Sequence, residues 1–182
     1  MQSRALSPML LLGAAALLSG AAPADLPETV AEGFYAVVLK YAQTGGVPNT
    51  KERAELAPFV TPTLLKALSN ADGAEVLYAK KTNHEVPPLV EGDLFTSMFE
   101  GATTAKVTQC TAEGTHQNCA VALTYVDARD KSTTRWTDTA VFAKTSAGWR
   151  LDDIVYGGTW DFGHKGKLST LLRDVVLEAN QE

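Results

Sequence analysis

Acids set among aromatics on strand faces are the residues whose types and spacing come nearest to chemistry in this chain. Trp136, Asp138, Ala140 and Phe142 alternate along one apolar run and so share a strand face. By the same period, Trp149, Leu151, Asp153 and Val155 share a face of the next run. A carboxyl group desolvated on such a face has its charged form disfavoured, and this is how a proton-transfer enzyme builds a base. Tyr125, in the neighbouring run with Leu123, is the nearest hydroxyl donor. The competing reading pairs Asp138 with Arg135, Lys144 or Arg150, or turns it to solvent, and gives it no chemistry.

Other reaction classes lack their parts. The chain has three histidines, His84, His116 and His164, each in a separate loop-like segment, and no glycine elbow surrounds any serine. A nucleophile beside an oriented base is therefore not expected. Gly157-Gly158 follows a strand but lacks the Lys-Ser/Thr that would hold phosphate and metal. No histidine pair stands at metal spacing, and nothing in the pattern calls for a metal or a cofactor.

Loops offer candidate binding residues instead. Asp93, in Gly92-Asp93-Leu94-Phe95, is read as the cap of a following short helix, with a ligand contact as the alternative. Trp160 and Phe162 lie in a glycine-flanked loop, Gly157 to His164, where exposed aromatics suit a ligand or a protein partner. The alternative packs Trp160 over the end of the core. Trp136 and Tyr156 complete the set of candidate binding residues.

The elements that must position these groups follow from periodicity. Asp25 reads as a helix cap before Pro27 and Glu28, and Val30, Phe34, Val37, Val38 and Tyr41 recur at helical spacing. Thr44 to Asn49 stops that helix. A second is expected over Lys51–Ala57, and a third from the Thr61 cap and Pro62, with Leu64, Leu65 and Leu68 inward. Asn70-Ala71-Asp72-Gly73 is a possible interruption, and Pro87-Pro88 ends the helical half. Strands are expected at Ala105–Thr111, Cys119–Val126, Arg135–Lys144 and Trp149–Tyr156, with connections short enough for an antiparallel meander. Leu168, Leu171, Leu172, Val175 and Val176 mark a closing helix. Helices first and then consecutive strands predict an α+β fold, with helices packed on a curved four-stranded sheet.

The leader and the cysteines bear on location. Arg4, the apolar run Met9–Leu18 and the small residues Ala22-Pro23-Ala24 have the layout of a secretory signal, removed to leave residues 25–182 as one domain. The run is too short to span a bilayer, so no membrane span is expected after cleavage. Cys110 and Cys119 flank a turn marked by Gly114 and Asn118, at matching ends of an expected hairpin, and an oxidising compartment favours a bridge. Free thiols, or a zinc site that includes His116, are the alternatives. With 16 Lys+Arg against 21 Asp+Glu the chain carries a net charge of −5, which opposes nucleic-acid binding and adsorption to anionic lipid.

The order of helices and meander, closed by Gly148-Trp149-Arg150-Leu151-Asp152-Asp153-Ile154-Val155-Tyr156, resembles the nuclear-transport-factor-two-like cone. Phe34-Tyr35, Glu91-Gly92-Asp93-Leu94-Phe95 and Trp149–Val155 make it similar, more narrowly, to a family of exported bacterial domains of uncharacterised function. Thr96-Ser97-Met98-Phe99 stands where that family carries bulkier or more polar residues. The resemblance implies a cavity or concave face, and related cones use a pocket acid with a Tyr donor for isomerisation. The leading expectation is a periplasmic, non-catalytic binding domain for a small apolar ligand or an envelope protein, monomeric or homodimeric. The alternatives are an inhibitor or immunity protein against a toxin or hydrolase, and a cone-pocket isomerase or hydrolase using Asp138 or Asp153.

Overall fold

A computed structural model describes residues 26–42 and 44–181. The leader and the Asp25 cap lie outside the described residues. Helix α1 (Pro27–Tyr41) starts with Pro at its first position, and no side chain caps it from Leu26. Its buried face is Val30, Ala31, Phe34, Tyr35 and Val38. Helix α2 (Thr50–Leu56) is closed by a reciprocal cap: Asn49 accepts from the amides of Lys51 and Glu52, and the Glu52 carboxylate accepts from the Asn49 amide.

Helix α3 (Pro62–Lys81) runs unbroken through the expected interruption. Gly73 costs this helix about 1 kcal/mol in propensity, too little to break it while Leu64, Leu68, Ala71 and Ala74 are buried on either side. Helix α4 (Leu168–Ala179) packs on α3 and on the last strand through Leu168, Leu172, Val175 and Ala179.

Strands β1 (Thr104–Glu113), β2 (His116–Val126), β3 (Thr133–Thr145) and β4 (Gly148–Val155) form one antiparallel sheet in sequence order. The β1–β2 turn is tighter than expected. Glu113 pairs with His116 across Gly114-Thr115, and Asn118 lies inside β2 opposite Thr111. A two-residue turn needs a left-handed backbone, which Gly114 supplies at φ +58°. Cys110 and Cys119 sit directly opposite one another and are bridged.

One face of the sheet meets the helices. Cys119, Val121, Leu123, Ala140, Phe142, Leu151 and Ile154 pack there against Phe34, Leu56, Leu68 and Leu172 in a single core. The outer edge of β4 is covered where Leu151 exchanges backbone hydrogen bonds with Phe59 and Thr61, both 2.8 Å. No helix among the described residues is long and apolar enough to cross a membrane.

An extra residue in β4 changes a reading made from alternation. Val141 pairs with Asp153 but Phe142 pairs with Leu151, so Asp152 is a bulge. Beyond it the faces exchange: Leu151 and Ile154 point inward, while Asp153 joins the outer face and does not share the face of Leu151. Both bulge acids tie helices to the sheet. Asp152 accepts from the Thr61 hydroxyl at 2.8 Å, beside the α3 cap. Asp153 accepts from the amide and hydroxyl of Ser169 at 3.0 and 2.7 Å, at the start of α4.

Candidate functional site

Two loops meet at one end of the core, and β3 supplies the group that joins them. The first, residues 91–103, leads into β1. Gly92 takes φ +73°, and the loop closes on itself where the Asp93 amide donates to the Phe99 carbonyl at 2.8 Å. The Asp93 carboxylate accepts from the Phe95 amide at 2.7 Å and the Thr96 hydroxyl at 3.1 Å. This is a capped turn, as the Asp suggests, but no helix follows it. The second loop, residues 156–167, crosses directly over Ser97. A Cβ on Gly157 would lie 2.1 Å from the Thr137 carbonyl oxygen, and one on Gly158 would lie 2.7 Å from Ser97 Cβ. These two glycines permit the close approach.

Asp138 points inward from β3 and is fully buried. Its Oδ2 accepts from the Ser97 amide at 2.8 Å and from Trp136 Nε1 at 3.1 Å. Its Oδ1 accepts from the Gly157 amide at 2.8 Å and from the Ser97 hydroxyl. Four donors from three segments converge on one carboxylate. The Ser97 oxygen in turn accepts from the Gly158 amide at 2.9 Å. Tyr156 donates to the Leu94 carbonyl at 2.7 Å, the His164 amide donates to the Ser97 carbonyl at 2.9 Å, and His164 Nε2 bonds the Asp93 carbonyl at 2.8 Å. The two loops are thus joined at Tyr156, Gly158 and His164 on one side and at Asp93, Leu94 and Ser97 on the other.

Ser, His and Asp meet here without forming a hydrolytic set. The Ser97 hydroxyl is buried and directed at Asp138, not at a histidine, and His164 Nε2 is committed to a carbonyl. Asp138 shares its face with Trp136, Ala140 and Phe142 as alternation predicts, and that face points inward, but its four donors hold it as an anchor, where a base would need a free oxygen. Tyr125 lies on β2 four residues from Val121, the partner of Asp138, roughly 13 Å along the strand. Asp153 is on the far face. The residues proposed for proton transfer are therefore not brought together.

The surrounding titratable groups feel the same enclosure. Burial pushes the Asp93 carboxyl up to about 6, against the pull of the Phe95 amide and the Thr96 hydroxyl, with a further push from Asp138. Burial, then the nearby negative charges, raises the Tyr156 phenol well above its usual range. Tyr35 is raised in the same way by burial, Asp138 and Asp93. Its hydroxyl is buried without a hydrogen-bond partner among the described residues.

Beside Asp93 is a recess of about 30 Å³ lined by Val38, Tyr41, Glu52, Leu56 and Phe95 among others. That is room for a water molecule or two and well below the size of an organic ligand. The open surface is different. Met98, Phe99, Glu100, Thr134, Trp160 and Phe162 line a groove of about 470 Å³. Trp160 is half-buried, edge-on to Trp136 at 5.5 Å, while Phe99 is 46% and Phe162 92% exposed. Trp136 and Tyr156 thus support the loops from below, and Trp160 and Phe162 form the surface above them.

Sequence reasoning found Asp93, Trp160 and Phe162 but passed over Ser97, His164 and Phe99. The available signal was Thr96-Ser97 inside the apolar run Leu94–Phe99, where two hydroxyls must find buried partners. Comparison with protein-family models, curated proteins and solved structures returns no match to this chain.

Proposed function

We propose that this chain is an exported, non-catalytic binding domain of the bacterial periplasm, built on the nuclear-transport-factor-two-like cone, and that it docks an envelope protein through Phe99, Trp160 and Phe162. The observation that carries the reading is the near-complete exposure of Phe162, beside Phe99, on loops tied together through Asp138. Aromatic side chains presented on a fixed backbone lose little entropy on binding, and they dominate protein interfaces. The Cys110–Cys119 bridge supports an oxidising compartment. The helix order and the four-stranded meander support the cone. A protein partner is favoured over a small apolar ligand because Phe162 stands 92% exposed at the groove instead of enclosing it, and the recess beside Asp93 has space for little more than water.

The test is site-specific photocrosslinking in cells that make the full chain. A photoreactive side chain at Phe99 is expected to capture one discrete protein, and F162A is expected to abolish that adduct. The same side chain at Thr139, on the outer face of the sheet, is expected to capture none. An adduct from Thr139 alone, or one from Phe99 indifferent to F162A, would overturn the reading.

A further inference from the structure

The groove has a chemical preference as well as an apolar one. Three aromatic residues, Phe99, Trp160 and Phe162, share it with the exposed carboxylate of Glu100. Asp161, between Trp160 and Phe162 in the chain, is exposed on the same loop. Ring faces carry partial negative charge and attract a cation within about 6 Å, more strongly as water is excluded. An acid beside such rings adds a hydrogen-bonding counter-charge.

The cations nearest the groove are already engaged. Lys165 donates to the carbonyls of Gly158 and Trp160 at 2.7 and 2.6 Å. Arg129 lies within electrostatic reach of Glu100, but its guanidinium is bonded to Asp127 at 2.8 and 3.2 Å. The chain's net charge of −5 steers the same class of partner toward the surface. A partner carboxylate would meet Glu100 and the ring faces together, which disfavours it.

Resting on the docking reading, we infer that the partner inserts a lysine or arginine, carried on an otherwise apolar segment, between Phe99, Trp160 and Phe162, with its charged head at Glu100. The aliphatic stem of such a side chain covers the rings while the head stays at the wet rim. The size of the groove suits one long side chain and its immediate neighbours.

A random dodecapeptide library displayed against the immobilised full chain tests this. Selected peptides are expected to carry Lys or Arg flanked by apolar residues, and replacing that residue by Gln is expected to weaken binding about 5-fold or more. E100Q is expected to weaken the same peptides several-fold and to flatten their salt dependence. F162A is expected to abolish binding without altering the circular dichroism of the protein. Selected peptides that need Phe162 but tolerate Lys/Arg→Gln overturn the cationic inference and leave the docking reading standing. A library that yields no peptide dependent on Phe162 overturns both.

Discussion

Asp138 and Asp93 are both shut away from water, at 0% and 4% exposure, within one buried polar cluster. Asp138 is reached by four donors, two of them backbone amides from separate loops. Asp93 is reached by two donors, both from its own turn. The first carboxylate is therefore a long-range tie, and the second a local cap held in a place that penalises its charge. Burial alone does not prepare an acid for proton transfer. An acid whose two oxygens are both taken up by donors from separate segments serves as an anchor.

The comparison breaks if the two acids respond alike to substitution. D138A strands the Ser97 and Gly157 amides and the Trp136 N–H in the interior, so a loss of at least about 4 kcal/mol is expected in urea unfolding. D138N keeps one accepting oxygen and is expected to lose less. An intact stability for D138A would show that the loops do not depend on this carboxylate.

Asp93 is expected to make stability depend on pH. Its carboxyl sits at about 6 in the folded chain against an ordinary 3.8, so between those values the folded state holds its proton more firmly than the unfolded state. Stability from this group is therefore present below about pH 4 and is lost as pH rises through 6. The two-unit displacement corresponds to at most about 3 kcal/mol. Measured as the difference from D93N, the wild-type chain should gain relative stability on acidification from pH 7 to pH 4. A flat difference would show that burial does not penalise the charge on Asp93.

Tyr35 sharpens the contrast from the side of a group with no hydrogen-bond partner among the described residues. Removing its unpartnered hydroxyl in Y35F is expected to raise stability by about 1 kcal/mol. A loss of stability would mean that the hydroxyl is tied into the Asp93–Asp138 cluster, and the midpoint of chemical denaturation reads the sign directly.

Much of the architecture was legible from residue pattern. The α3 cap at Thr61, the meander, the cysteine rung and the inward face of Trp136, Asp138, Ala140 and Phe142 are all local consequences of period and turn chemistry. The face of Asp153 was misread because one bulged residue reverses alternation, and neither Asp152 nor its neighbours carries a glycine or proline to announce it. Gly73 was read as a possible break because propensity is a weak prior beside the packing of a long amphipathic helix.

The sequence by itself determined which side chains are aromatic or acidic and that Asp138 shares a strand face with Trp136, Ala140 and Phe142, because alternation is a property of a single strand. Only the tertiary structure decided what Asp138 is for. Its donors come from residues 41 and 19 positions away, and no local rule brings Ser97 and Gly157 to one carboxylate. The same loop that crosses Ser97 on two glycines packs Trp160 against Trp136 and leaves Phe162 outside the core.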